Sequence, residues 1–305
     1  MAAALAALPL LSAAQEPPFV VVLGIAQDGG YPQAGTKDHP AWDDSSRRRL
    51  VSCLALVDPA SGERWLFDAT PDFRAQLHRL DQVAPHEGVP GLAGIFLTHA
   101  HVGHYTGLLH LGKEIIGAKE VAVWAMPRMA DFLRDNGPWS QLVEQRNIVL
   151  EPLQPGKPVR LNERLTVTPI TVPHRDEFSE TVGFLIDGPN RSLFFLPDID
   201  KWEEWDDEVG AGPVERIVRQ VDIAYLDGTF FADGEVPGRA MSDIRHPFIT
   251  ESMERFAKLS RDDRAKIRFI HLNRTNPAIV PGSAAQRAVL EAGLGLAQEG
   301  ERQEL

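Results

Sequence analysis

Residues 94–104 read Gly-Ile-Phe-Leu-Thr-His-Ala-His-Val-Gly-His. The first five residues form a short apolar run that is typical of a buried strand, and three of the ten histidines in the chain follow it directly. Alternate residues of a strand face the same side, so His99 and His101 can point the same way, and His104 stands at the entry to a predicted helix. Three imidazoles aimed at one point are good ligands for zinc, iron or manganese. The pattern therefore favours a metal site at a strand end over three separate surface histidines.

Three other polar residues lie at or near the ends of apolar runs further along the chain: His174, Asp198 and His271. A polar group beside a buried strand requires a partner. Each of the three, taken singly, can equally be a hydrogen-bonded residue of the core. Together with the histidine cluster they complete a ligand set.

The remaining pattern of apolar runs and turn residues predicts an ordered series of elements. Strands are predicted over residues 19–23, 50–57, 64–68, 94–98, 121–124, 147–152, 165–172, 181–187, 192–196, 223–226 and 267–272. Helices are predicted over residues 71–80, 106–116, 129–135, 214–221, 248–259 and 284–292. Several strands follow one another without an intervening helix, so the order is not a regular alternation. It fits two mixed sheets packed face to face with helices outside, in one domain over residues 19–305.

The composition limits the classes of partner. The 305 residues carry a formal net charge of −12, and a protein whose main partner is nucleic acid needs clustered Lys and Arg instead. A small-molecule substrate is expected, and the oligomeric state stays open. The single cysteine, Cys53, lies in an apolar run and is interpreted as a small buried hydrophobe. One cysteine excludes a disulfide within the chain and a cysteine-based zinc site.

Residues 1–18 are interpreted as a signal segment. The stretch from Met1 to Ala14 is uncharged, rich in Ala and Leu, and ends in small residues, as an export signal does before its cleavage site. It is too short to span a bilayer as a helix. We therefore expect a periplasmic or secreted protein whose mature chain begins near Gln15. The alternative is a disordered tail on a cytoplasmic protein.

Three polar residues outside the ligand set are candidates for roles beside it. His246 precedes a helix on a loop and can bind substrate or move protons, although a loop histidine without a role is an equal alternative. Asp200 and Asp227 can orient a metal ligand by hydrogen bonding.

Two pairs of residues have simpler local explanations. Gln27 and Asp28 lie on a Gly-rich turn and can line a pocket, but turn chemistry alone explains an Asp-Gly pair. Asp68 and Asp72 flank a predicted helix start, where capping explains at least Asp72.

The histidine cluster resembles the His-x-His-x-Asp-His signature of the metallo-β-lactamase superfamily. The superfamily's later order of a lone His, a lone Asp and a final His is matched at His174, Asp198 and His271. The resemblance implies a four-layer αββα sandwich of two mixed β-sheets with helices outside. The chain is more closely similar to the pyrroloquinoline-quinone biosynthesis B branch. The segments that carry this similarity are residues 24–33, 68–72, 104–108 and 271–277.

Two positions depart from these patterns. Gly103 stands where the signature has an Asp that ligates a second metal, so one tight metal site is expected, and a second ion on His104 and His271 is expected to bind weakly or not at all. On this view Gly103→Asp would raise occupancy of the second site, provided that Gly103 does not need a positive φ. Residues 36–42 lack the cysteines that hold a structural zinc in the biosynthesis branch, so no such zinc is expected.

The resulting functional hypothesis is a metal-dependent hydrolase. A divalent transition metal, zinc in the first place and iron or manganese otherwise, would make a hydroxide from bound water that attacks an ester, lactone, amide or phosphodiester. Asp198 and His246 are the candidate catalytic residues, Asp198 because it can hold or deprotonate the water. An iron-dependent oxygenase acting on a quinone precursor and a non-catalytic binding protein are the alternatives. The candidate metal ligands are His99, His101, His104, His174, Asp198 and His271.

Overall fold

The computed structural model describes residues 15–205, 212–238 and 240–305. Its strands are β1 Phe19–Gly24, β2 Cys53–Asp58, β3 Glu63–Phe67, β4 Gly94–Phe96, β5 Val121–Ala125, β6 Ile148–Pro152, β7 Val159–Arg160, β8 Thr166–Val172, β9 Thr181–Asp187, β10 Ser192–Leu196, β11 Ile223–Asp227, β12 Ile267–Ile270, β13 Gly295–Leu296 and β14 Arg302–Glu304. Its α-helices are α1 Phe73–Val83, α2 Val102–Tyr105, α3 Pro127–Asp135, α4 Trp139–Glu144, α5 Pro213–Gln220, α6 Ile249–Phe256, α7 Arg261–Lys266 and α8 Ala284–Glu291. Residues 1–14 of the predicted signal segment lie outside the described residues.

The strands form two mixed sheets. The first sheet has the order β14-β1-β2-β3-β4-β5-β6 and the second the order β13-β12-β11-β10-β9-β8-β7. In each sheet one half is antiparallel and the other half, β3 to β6 and β10 to β13, is parallel. In the parts of the chain that the structure describes, no helix is long and apolar enough to cross a bilayer.

Two large apolar cores fill the space between the four layers of sheets and helices. Strand β1 illustrates the arrangement, because Val20 and Val22 pack into one core and Val21 into the other. The first core lies between the sheets and continues to the helices α5, α6 and α8, while the second core joins the first sheet to α1, α3 and α4. A strand that is covered on both faces is apolar throughout, which explains the run Phe-Val-Val-Val-Leu of β1. The predicted αββα sandwich of two mixed β-sheets is confirmed.

Strand directions bring the candidate residues to one edge of the sandwich. Strand β1 is antiparallel to β2 and β2 to β3, so β1 runs in the same direction as β3 and β4. By the same reasoning β8 runs with β10, β11 and β12. The two sheets are joined at this edge, because Ala26 bridges to Leu272, with Gln27 N donating to Leu272 O at 2.9 Å. Polar residues that follow these strands therefore meet.

Two local predictions are wrong. Residues 106–116 do not form an α-helix: α2 precedes them, and a 3-10 helix covers only Thr106–Leu111. Asp72 stands at the N-cap position of α1, but its side chain does not cap the helix, because its Oδ2 accepts instead from Val51 N at 2.9 Å. At both places the chain bonds distant residues instead: Gly107 N donates to Ala69 O at 2.8 Å, and Asp72 accepts from Val51.

The buried environment of Cys53 makes a testable prediction. Its side chain is fully buried in β2, and burial raises the pKa of the thiol well above its ordinary value. Because the thiolate is the reactive form, native protein at neutral pH should remain unalkylated by iodoacetamide under conditions that fully alkylate the urea-unfolded chain. Mass spectrometry of the two samples measures this, and comparable labelling of the native protein would contradict the buried position.

Candidate metal centre

Each candidate ligand follows a strand that ends at the shared edge. His99 and His101 lie on the loop after β4, and His104 lies in α2 directly beyond it. His174 follows β8 and Asp198 follows β10. The carbonyl of Thr98 accepts from Val182 N of β9 at 3.1 Å, so the loop that carries the histidines is attached to the second sheet as well.

Four of these residues form the first cluster, defined as His99, His101, His174 and Asp198. His101 Nδ1 lies 2.8 Å from His99 Nε2 and 3.2 Å from His174 Nε2. Asp198 Oδ2 lies 3.3 Å from both His99 Nε2 and His174 Nε2 and 3.9 Å from His101 Nδ1. Two ligand atoms thus come from the first sheet and two from the second.

The spacing of the first cluster fits a tetrahedral metal ion. Ligand atoms at 2.0–2.1 Å from zinc stand about 3.3 Å from one another in a tetrahedron. The distances above scatter around that value, and three imidazoles with one carboxylate are a donor set that zinc, iron and manganese accept. The first cluster therefore fits the metal that the sequence predicts.

The ring nitrogens that face away from the first cluster are held by neighbours. His99 Nδ1 lies 3.0 Å from Thr98 Oγ1, His101 Nε2 lies 3.1 Å from Glu177 Oε2, and His174 Nδ1 lies 3.0 Å from Asp200 Oδ1. Such partners fix the orientation and tautomer of a metal-binding histidine. Asp200 thus lies where it can orient a ligand.

The second cluster consists of Asp28, His104 and His271. His104 Nε2 lies 3.5 Å from Asp28 Oδ1 and 3.8 Å from Asp198 Oδ2. Asp198, a member of the first cluster, therefore also faces the second. His271 Nε2 lies 3.9 Å from Asp28 Oδ1. His271 has a φ of 64°, a left-handed conformation that non-glycine residues adopt mainly where function or packing requires it.

His246 stands beside Asp198 on the side of the second sheet. Its Nδ1 hydrogen-bonds Asp227 Oδ2 at 2.9 Å and lies 3.1 Å from Asp198 Oδ1. Asp227 is fully buried and also accepts from Thr229 N and Ile199 N. The carboxylate of Asp227 therefore fixes the His246 ring and leaves Nε2 for other partners.

Charge compensation governs the pKa values in this region. Burial lowers the pKa of His99 well below its ordinary value. Burial opposes the charged form of His104 too, but Asp68 and Asp28 outweigh it and raise the pKa of that residue to about 10. Burial raises the pKa of Asp198, yet His174 and His246 outweigh it and hold the pKa of this carboxyl well below its usual range. A bound metal ion would take the place of the protons on these imidazoles and would balance the negative charge of the carboxylates.

An open cavity of about 150 Å³ adjoins His246. Arg175 and Arg245 line it together with Gln27, and Asp243 supplies a carboxylate. Arg245 is held by Asp200 Oδ2 at 3.1 Å, whereas about half of each arginine side chain remains exposed. The cavity thus holds two partly exposed arginines next to His246, which in turn contacts Asp198 of the first cluster.

The six predicted ligands all lie in these two clusters, and His246 adjoins them. Sequence reasoning named Asp28 as able to line the pocket but explained it as a turn residue, and it missed Asp68, whose Oδ2 lies 2.7 Å from His104 Nδ1, and Arg175 at the cavity. The position of each after a strand that ends at the shared edge was the available signal.

Comparisons with a family model, with known sequences and with solved structures all find similar proteins along most of the chain. The profile of the beta-lactamase superfamily domain matches residues 63–271. Coenzyme PQQ synthesis protein B of Gluconacetobacter diazotrophicus is 26% identical over 319 residues, which cover 93% of this chain and 98% of that protein. The structure of Zn(2+)-bound PqqB from Methylobacterium extorquens matches with a TM-score of 0.77 and 25% identity, covering 94% of this chain and 100% of that one. A diphosphatase from the PhnP family matches with a TM-score of 0.65 and 20% identity, covering 95% and 98%.

Proposed function

The chain belongs to the beta-lactamase superfamily, and from its candidate metal centre we propose that it is a metal-dependent hydrolase. The observation that carries the proposal is the first cluster, in which four ligand atoms converge at tetrahedral spacing and Asp198 contacts His246, which lines an open cavity. A bound divalent ion lowers the pKa of water and polarises the bond to be broken. Zinc is the metal we propose first, because a zinc-bound structure exists for a similar protein.

Asp198 and His246 are the residues we propose to handle protons. Asp198 Oδ2 faces the histidines of both clusters, whereas its buried Oδ1 lies 3.1 Å from His246 Nδ1 but has no hydrogen bond among the described residues. Oδ1 can therefore accept a proton from an attacking water. His246 Nδ1 is committed to Asp227, so Nε2 is the atom that can donate a proton to the leaving group.

The cavity favours an anionic substrate. Arg175 and Arg245 can hold a phosphate or carboxylate oxygen next to the clusters, and arginine is well suited to such groups. Among the candidate scissile bonds, namely ester, lactone, amide and phosphodiester, we therefore place the phosphodiester first. The diphosphatase shows that phosphate chemistry occurs on this fold.

An iron-dependent oxygenase is the second candidate. The similarity to coenzyme PQQ synthesis protein B over 93% of the chain supports a place in cofactor synthesis, and a His/carboxylate donor set suits iron as well as zinc. A non-catalytic binding protein on the same fold is the third reading, against which the complete donor set of the first cluster counts.

The test combines metal analysis with two chromogenic substrates, bis(p-nitrophenyl) phosphate and p-nitrophenyl acetate. We expect metal in the purified protein and turnover of the phosphodiester. His246→Gln should lower kcat by at least about 100-fold, the usual contribution of a general acid. Arg175→Ala should raise KM for the phosphodiester about tenfold, since a charge-assisted hydrogen bond contributes about 1.5–3 kcal/mol, and should leave KM for the neutral ester unchanged.

Arg134→Ala is the matched control, because this exposed arginine pairs, within the described ranges, with Asp131 three residues away. It should leave both substrates unaffected. Iron in place of zinc, with oxygen consumption and no hydrolysis, would support the oxygenase instead. Metal without turnover or oxygen consumption on a wider ester, lactone and amide panel would favour the binding protein.

A further inference from the structure

Gly103 has no side chain, and the space beside it is filled by the carboxylate of Asp28. A Cβ built at residue 103 would overlap the carboxylate of Asp28 and lie 2.7 Å from its Cα. Gly103 is in α2 and is not among the glycines with a positive φ. A glycine is therefore needed here for the close approach of Asp28 and not for an unusual backbone conformation.

Asp28 reaches this place because of the way β1 continues. Beyond β1 the chain crosses to the second sheet, where Leu272 N donates to Ile25 O at 2.8 Å and Gln27 N donates to Leu272 O at 2.9 Å. The turn then closes with Gly30 N donating to Gln27 O at 2.8 Å. These bonds place Asp28 between α2 and the end of β12, next to both histidines of the second cluster.

Three atoms of the second cluster are buried without hydrogen-bond partners within the described ranges. They are Asp28 Oδ1, His104 Nε2 and His271 Nε2. The two imidazole nitrogens lie 3.5 and 3.9 Å from Asp28 Oδ1, at or beyond the limit of a hydrogen bond. Leaving a buried polar group unpaired costs about 1–3 kcal/mol, so three such atoms facing one another indicate a missing common partner.

The opposite nitrogens of both imidazoles are already engaged. His104 Nδ1 lies 2.7 Å from Asp68 Oδ2, and His271 Nδ1 lies 2.9 Å from Thr229 Oγ1. The carboxylate of Asp68 makes His104 Nδ1 a donor, which leaves a lone pair on Nε2 when the ring is neutral. Two imidazole nitrogens and a carboxylate oxygen are a donor set for a divalent transition metal.

We propose that Asp28 supplies the carboxylate of a second metal site with His104 and His271, in place of the side chain that Gly103 lacks. Asp198 Oδ2, 3.8 Å from His104 Nε2, stands between this site and the first cluster. Asp28 restores a negative charge that offsets repulsion between two neighbouring cations. The inference rests on the proposed metal dependence but not on hydrolysis.

Titration of the metal-free full chain with zinc alone tests this inference, with calorimetry and native mass spectrometry as readouts. We expect two equivalents in the wild type. Asp28→Asn keeps the size of the side chain and removes its charge. It should bind the first equivalent as before and the second at least about 100-fold more weakly, since even loss of a residue that only orients a ligand weakens metal binding about 10–100-fold.

The retained first equivalent shows that Asp28→Asn is folded, and Asp38→Asn, which makes the same change at an exposed position, should bind both ions like the wild type. Gly103→Asp should weaken the second equivalent, because its side chain would displace Asp28. One equivalent in the wild type, two unchanged equivalents in Asp28→Asn, or tighter second binding in Gly103→Asp would each overturn the proposal. These outcomes do not depend on any substrate, so the metal-binding results can be interpreted even if no hydrolase activity is found.

Discussion

His99→Ala is expected to empty the first cluster of metal. Removing one of four ligand atoms opens the coordination shell and leaves a buried void beside Asp198 Oδ2, which His99 Nε2 approaches to 3.3 Å. We expect zinc affinity of the first cluster to fall by at least about 100-fold, more than the 10–100-fold that loss of an orienting partner causes. Turnover should fall at least as far. Elemental analysis after dialysis against a weak chelator measures the loss, and His101→Ala should behave in the same way.

The matched control is His78→Ala, which removes the same side chain from an exposed position on α1. It should retain the metal content of the wild type. Equal metal content in the wild type, His99→Ala and His101→Ala would show that these histidines do not hold the ion, and would remove the basis of the proposed function.

Asp68→Ala is expected to have the largest effect on stability. This fully buried carboxylate accepts from Thr98 N at 2.8 Å and holds His104 Nδ1 at 2.7 Å, and removing one partner of a buried charged pair costs about 3–5 kcal/mol. Asp68 also has a φ of 69°, which alanine adopts less readily than aspartate. We expect the free energy of unfolding of the metal-free protein in urea to fall by about that amount.

Asp68→Asn distinguishes the contribution of Asp68 to stability from its effect on the tautomer of His104. Its Oδ1 can still accept from Thr98 N, but its amide would donate to His104 Nδ1 and place the ring proton on Nε2. Zinc binding by the second cluster should weaken about 10–100-fold with a smaller loss of stability than in Asp68→Ala. Asp131→Ala, which removes an exposed carboxylate, should change the free energy of unfolding by about 1 kcal/mol or less. A similarly small change in Asp68→Ala would contradict the structural role.

The sequence was informative where a local pattern coincides with the end of a strand. His99, His174, Asp198 and His271 each interrupt or follow an apolar run, and a polar residue there needs a partner. The layered fold was predictable for a related reason, because strands covered on both faces are apolar throughout. The two mixed sheets follow from the order of such strands.

The sequence could not reveal which distant residues share a space. Asp28 and Gly103 look unrelated along the chain, and only the crossing of β1 to Leu272 brings them together. The expectation that Gly103→Asp raises second-site occupancy did not take account of the space that Asp28 fills, and from that overlap we now expect the opposite effect. The capping explanation of Asp72 was wrong for a similar reason, since its carboxylate accepts from Val51 N, and the carboxylate of Asp68 likewise contacts a distant residue, His104.

The composition of the two clusters links metal binding to the cohesion of the sandwich. The first cluster combines His99 and His101 from the first sheet with His174 and Asp198 from the second, and the second cluster likewise includes His271 from the second sheet. An ion in either cluster would act as a cross-link between the two halves of the chain at one edge. Binding to the folded state alone adds about 4.1 kcal/mol of stability when free metal exceeds Kd about 1,000-fold. Metal supply would then determine not only whether the centre is loaded but also how firmly the two sheets stay together.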